Sequence, residues 1–305
     1  MHDHAHGHHH HHHGDRWRLL AAMLLTGTFM VAEVIGGFIT GSLALLADAG
    51  HMLTDTVALA LAWVAFVLTD RPADHKRTFG YHRWPVLAAF VNGLALLGIV
   101  VWISFEAVQR LLDPQPILGG TMLMIAVGGL VVNIVAFALL HGGDRDNLNL
   151  RGAALHVLGD LLGSAGAIIA AGVIMTTGWT PIDPLLSLFV ALLLVRSAWY
   201  LLRQSGHVLL EGAPYWIDPH TVERELPAAV AGVCDVHHVH VWSLSPERPM
   251  MSLHARATGE VDHDRVVSGT KRFLRERFGI EHTTLQVEYT EECVDHAPPP
   301  EKEHG

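Results

Sequence analysis

Between residues 17 and 203 the chain alternates long apolar runs with short polar links. Six runs stand out, roughly Leu19–Ile39, Leu43–Leu68, Pro85–Phe105, Thr121–Leu140, Ala153–Thr176 and Pro184–Leu202. Each has close to the 20 or so apolar residues that a helix needs to cross a bilayer. From His207 the pattern changes. "DPHTVERELPAAVAG" reads as a helix start with Pro227 in mid-segment, and "VHHVHVWSL" and "MMSLHARAT" alternate as strands do. "DHDRVVSGTKRFLRERFG" reads as an amphipathic helix closed by Gly279, and "HTTLQVEY" as a last strand. The expected fold is an α-helical membrane bundle of six transmembrane helices followed by a small cytosolic α+β layer. The expected domains are a His-rich N-terminal tail over 1–16, the helical bundle over 17–206, the α+β domain over 207–290, and a disordered acidic, Pro-rich tail over 291–305.

Composition sharpens this division. Half the residues are hydrophobic and only 16% are charged, well below the roughly 25% usual for soluble domains. Lys and Arg are unevenly spread. Arg16 and Arg18 precede the first run; Arg71, Lys76, Arg77 and Arg83 follow the second; Arg145 and Arg151 precede the fifth; Arg203 closes the sixth. The opposite links hold only Arg110, so both termini are expected on the cytoplasmic side of the membrane. A net charge of −10 argues against nucleic acid as a partner. The two cysteines, Cys234 and Cys293, offer no disulfide framework, and Cys234 is expected to be buried rather than to bind metal. Nine of the 24 histidines fall within the first 13 residues. The run His8–His13 has the length of a purification tag, whereas the alternation His2, His4, His6 looks like a native metal-binding tail.

The chemistry lies inside the apolar runs. His51 and Asp55 are four residues apart on the second run and so share one helix face. The fifth run repeats the step with His156 and Asp160. Packed together, two such helices supply two imidazoles and two carboxylates, a set suited to a tetrahedral divalent transition metal and above all to zinc. A charged side chain in mid-membrane costs on the order of 3 kcal/mol, so two Asp cost about 6 kcal/mol. Zinc binding in a closed site returns roughly 10–16 kcal/mol. Gly159 and Gly163 add the small-xxx-small spacing that lets helices approach closely, although generic membrane packing explains them as well. Asp48 shares the face of His51 and Asp55 and reads equally as an accessory metal or proton group or as a residue near the helix end that faces water. Glu33 reads either as proton access or as a polar contact to another helix, and Asn133 as an interhelical hydrogen bond.

"SLALLADAGHMLTDTVALA", "RTFGYHRWPVLAAFVNG", "ALHVLGDLLGSAG", "LLEGAP" and "VHHVHVWSL" together resemble the cation diffusion facilitator family, closest to its bacterial zinc-exporting branch. The resemblance spans about residues 17–290. It implies a ferredoxin-like cytosolic domain, homodimers, and metal efflux coupled to proton entry, with His51, Asp55, His156 and Asp160 as the transport site. The substrate implied is Zn²⁺, with Co²⁺ or Cd²⁺ as further substrates, and the partners are metal ions, protons and the lipid bilayer. The same resemblance maps His237, His254, His282 and Glu288, with His240 nearby, to cytosolic regulatory zinc sites. Some relatives bind metal in the link after the second helix, where Asp74 and His75 stand, but Arg77 and Tyr81 occupy positions that carry His in those relatives. Two other readings remain: a membrane metal sensor or buffer, and a membrane zinc metalloenzyme. The latter is disfavoured because no HExxH motif is present. No enzymatic activity is expected.

Overall fold

The computed structural model describes residues 12–69, 71–141, 148–259 and 261–289; within these, the side chains at 12–19, 59, 62, 65–66, 140–141 and 148–156 fall outside the description. The expected tails over 1–11 and from 291 onward likewise lie outside it. The chain divides into two compact units, one of Met1–Val64 with Ala88–Leu202, the other of Ala65–Leu87 with Arg203–Gly305.

Six long helices carry the apolar runs: α1 (His12–Thr40), α2 (Leu43–Thr69), α3 (Trp84–Leu112), α4 (Gly119–His141), α5 (Leu148–Thr177) and α6 (Ile182–Leu209). α1 begins within the expected tail. Among the described residues, five of the six helices show a stretch long and apolar enough to cross a membrane; in α2, side chains at 59, 62 and 65–66 fall outside the description. Large apolar side chains point outward, among them Trp63, Phe105, Phe189, Leu192 and Trp199. Alanines interleaved with larger apolar side chains line the contacts between helices. Leu43 and Ala47 of α2 pack against Val100, Ile103 and Ala107 of α3 and against Ala191 and Ala198 of α6. Ala44 and Leu45 of α2 meet Met122 and Ala126 of α4 and Ala167, Ala170 and Ala171 of α5. Large apolar groups on the outside as well as within suit helices whose outer surface meets lipid.

The start of α2 is fixed from another helix. Asp183, fully buried on α6, accepts from Ser42 Oγ at 2.5 Å, from the Leu43 N–H at 2.7 Å and from the Ala44 N–H at 3.2 Å. The first N–H groups of a helix have no partner within it, so a carboxylate placed there satisfies both their hydrogen bonds and the positive end of the helix dipole. Arg110 of α3 pairs with Glu106 at 2.9 Å and donates to the Gly41 carbonyl in the same turn. Gly41 itself has φ +72°, a conformation that glycine adopts without strain.

The second unit has the expected element order. α7 (Pro219–Ala229) is followed by β1 (Val233–Ser243), β2 (Pro249–Ala257), α8 (His263–Phe278) and β3 (His282–Glu288). The sheet order is β1-β2-β3, β1 antiparallel and β3 parallel to the central β2, with α8 as the crossover. Asp218 caps α7 ahead of Pro219, and Asp262 caps α8, which ends at Gly279 with φ 71°. Val222, Leu226, Val266 and Leu274 of the helices close over Val236, Met251, Leu253 and Ala255 of the sheet. Cys234 departs from expectation, because it is exposed. A register shift between Val233 and Asp235 breaks the strand's alternation there, so Val233 and Val236 enter the core and Cys234 turns outward, donating to the Arg256 carbonyl.

Candidate metal centres

Among the described residues, a cluster of titratable groups forms in each unit. In the helical unit, α2 brings Asp48, His51 and Asp55 onto one face. His51 Nδ1 lies 3.5 Å from Asp55 Oδ2, and both side chains are half-buried. Asp160 of α5 is 5% exposed, and the Glu33 and Asp48 carboxyls are among its charged neighbours. The side chain of His156 lies outside the described residues; its backbone continues α5 four residues before Asp160. α5 approaches α2 closely at Gly163, where a Cβ would stand 3.2 Å from Asp48 Oδ1. At Gly159 nothing lies within 4 Å, so only one of the two paired glycines makes the contact. Asn133 Nδ2 of α4 donates to Ser164 Oγ of α5 at 3.2 Å, the interhelical bond read for it in the sequence. Neither Ser164 nor Asp183 stood out in the sequence. Ser164 had a signal, since it lies four residues beyond Asp160 on the same face. Asp183 had none, because its partner helix begins about 140 residues earlier.

In the second unit His237, His254 and Glu288 converge, with one ligand atom of each lying within 4.8 Å of the others. Sheet register brings them together: His237 of β1 pairs with His254 of β2, and Glu288 of β3 stands two rows further, opposite Arg256 and on the same face. Glu288 Oε1 lies 3.0 Å from His254 Nδ1, and Glu288 Oε2 lies 3.2 Å from His237 Nε2. His237 Nδ1 meets Asp235 Oδ2 at 3.0 Å. A neutral imidazole donating there turns the lone pair of Nε2 toward the Glu288 carboxylate. Indeed His237 Nε2 and Glu288 Oε2 are both buried and make no hydrogen bond. A proton on Nε2 or a metal ion would satisfy both atoms, and two nitrogens with a carboxylate are a donor set zinc accepts. Asp235, which sequence reading passed over, orients the His237 ring; its signal was the two-residue step that puts it on the same strand face.

The other cytosolic candidates go elsewhere. His282 pairs in register with Met250, four rows from His254, and its ring meets Phe79 edge-on at 5.8 Å. His240 pairs with Ser252 beyond a bulge and lines a cleft of about 860 Å³ with Lys76, Arg77, Arg83 and Trp242. Between them His238 adopts φ 54° and stacks its ring on His254 at 4.8 Å. Asp74 is exposed and engaged in a turn: it accepts from the N–H groups of Lys76 and Arg77 and from the Tyr81 hydroxyl. The Tyr81 hydroxyl first, then those N–H groups, hold its carboxylate below the usual range. His75 is exposed.

Residues 19–210 match the cation efflux transmembrane domain, and residues 221–290 match the cytoplasmic domain of cation efflux proteins. The chain belongs to the cation efflux, or cation diffusion facilitator, family. It is 52% identical over 283 residues to the zinc transporter ZitB of Pectobacterium atrosepticum, an alignment covering 92% of this chain and 88% of that one. It is 43% identical to the metal cation efflux system protein CzcD of Cupriavidus metallidurans, covering 94% and 89%. It is also 43% identical to a cadmium, cobalt and zinc/H(+)-K(+) antiporter of Bacillus subtilis, covering 88% of each chain. Family membership spans both units and accounts for a bundle and an α+β layer in one chain.

Proposed function

We propose that this chain exports zinc from the cytosol in exchange for protons, through a site made of His51, Asp55, His156 and Asp160. The observation that carries the reading is a buried carboxylate, Asp160, on α5, in a bundle where the half-buried His51–Asp55 pair of α2 presents the same four-residue step. A helix bundle meant only to pack has no use for ionisable groups whose burial is costly. The relatives named for zinc and for H⁺-coupled exchange support both substrate and coupling.

On this reading all six helices span the inner membrane, with both termini cytoplasmic. Zinc binds neutral imidazoles and ionised carboxylates, so protons leave as the ion enters. Once the site faces outward, protons take the same positions and the ion leaves. Histidine, titrating near pH 6.5, suits an exchange close to neutrality. The α7–β1–β2–α8–β3 layer is the ferredoxin-like domain of the family and pairs two copies into a homodimer. In it His237, His254 and Glu288 hold a regulatory zinc ion, which would tie β1, β2 and β3 together at one end of the sheet. Co²⁺ and Cd²⁺ are further substrates.

Zinc flux into liposomes containing the purified protein tests this directly. The expected result is continuous uptake by wild type and background rates for Asp55→Ala and Asp160→Ala. Stoichiometric binding without flux would instead make the chain a sensor or buffer, and chelator-sensitive hydrolysis would make it an enzyme.

A further inference from the structure

Beyond the His and Asp set lies a second group of polar side chains, contributed by four helices. Glu33 of α1 is 2% exposed, Asn133 of α4 is 2% exposed, and Ser164 of α5 is 1% exposed. Asp48 of α2 reaches the Glu33 carboxyl within hydrogen-bonding distance. Two glycines make the room. A Cβ on Gly129 would stand 3.1 Å from Glu33 Oε1 and 3.3 Å from Ser164 Oγ, and one on Gly163 would stand 3.2 Å from Asp48 Oδ1. The oxygens therefore converge over two bare stretches of helix backbone.

The group is rich in acceptors and short of donors. Its donors are the Asn133 amide, which is given to Ser164 Oγ, and the Ser164 hydroxyl. Glu33 Oε2 and Asn133 Oδ1 are buried and make no hydrogen bond. Buried acceptors left unmatched cost about 1–3 kcal/mol each, and two carboxyls in contact hold either a shared proton or a cation between them; the shared proton satisfies the pair but leaves the other acceptors unmatched. A guest that satisfies both demands is a cation.

We propose that Glu33, Asp48, Asn133 and Ser164 form a second divalent-cation site, made of oxygen donors alone. Asp48 precedes His51 by three residues and Ser164 follows Asp160 by four, so the site lies about one helical turn, some 5 Å, from the His and Asp set. The shift is toward the beginning of α2 and the end of α5. Oxygen-only sets favour hard cations such as Mn²⁺, whereas imidazole favours zinc, so zinc is held here more weakly than in the first set. If the chain exports zinc as proposed above, this is a stepping site on the outward route; the site itself does not depend on that role.

Mn²⁺ binding to the full-length protein in detergent or nanodiscs, read by loss of the free-ion electron paramagnetic resonance signal, tests it. Wild type is expected to bind one more Mn²⁺ per chain than Glu33→Gln, with Ser164→Ala weakening that ion several-fold. Asp55→Ala, which alters only the first set, should retain it. Retained zinc binding by the cytosolic cluster and an unshifted melting curve show that each variant is folded. Equal Mn²⁺ binding by wild type and the folded Glu33→Gln and Ser164→Ala variants overturns the proposal, as does loss of the same ion in Asp55→Ala. A wild type that moves no zinc but loses one Mn²⁺ on Glu33→Gln keeps this site and removes the transport reading instead.

Discussion

Gly163 sets how closely α5 approaches α2 at Asp48. With a hydrogen in place of a methyl, α5 comes close enough for the Asp48 carboxylate to lie over its backbone. Gly163→Ala is therefore expected to displace Asp48 and slow zinc flux several-fold, while Gly159→Ala, with nothing within 4 Å, leaves flux near the wild-type rate. Initial uptake rates of the two variants, side by side, check this. Asp235 acts at the same scale in the cytosolic cluster. It fixes which nitrogen of His237 faces Glu288. Outer partners of this kind set metal affinity by roughly 10–100-fold, so Asp235→Ala should weaken zinc binding by about that factor without removing a ligand. Titration calorimetry of wild type and variant reads the difference.

At the scale of elements, the Asp183 carboxylate stands in for the missing first turn of α2. Asp183→Ala leaves the Leu43 and Ala44 N–H groups buried without acceptors, at a cost of about 1–3 kcal/mol. A lowered melting temperature of the purified protein is the expected outcome. The link from α2 to α3 makes a different kind of contact. Arg248 Nη1, next to the start of β2, donates to His82 Nε2 at 2.6 Å, and burial together with the Arg248 charge pushes the His82 imidazole below its usual range near 6.5. The folded protein thus binds this proton less readily than the unfolded chain. The stability it contributes is present above pH 6.5 and is lost as pH falls through the lowered folded value. Between neutral and mildly acid pH the melting temperature of wild type should fall further than that of His82→Gln. These contacts were hidden in the sequence because each joins residues more than a hundred positions apart. Local pattern, by contrast, was enough for the elements themselves. Period-two alternation placed β1 and β2, and Asp262 with Gly279 bounded α8. It failed at Cys234 because a bulge, which no composition signals, reverses the faces of the strand.

For the whole molecule, the division into a bundle and an α+β layer was written in the switch of apolar pattern near residue 203, and the family match spans both parts. The four-residue His–Asp step was equally plain. What spacing could not convey was which histidines meet. His237, His254 and Glu288 come together through strand register, whereas His282, only six residues from Glu288, begins the same strand at its far end. Nor could it convey that Glu33, buried on α1, stands beside the carboxylates of α2 and α5. The exchange proposed here requires that these groups, gathered in one bundle, couple a metal ion to protons. Zinc uptake into everted membrane vesicles under an imposed pH gradient measures that coupling. Exchange predicts fast uptake when the vesicle interior is acid, collapse of uptake when the gradient is dissipated, and none in Asp160→Ala. Uptake that ignores the gradient, or an Asp160→Ala variant that transports as wild type does, would contradict it.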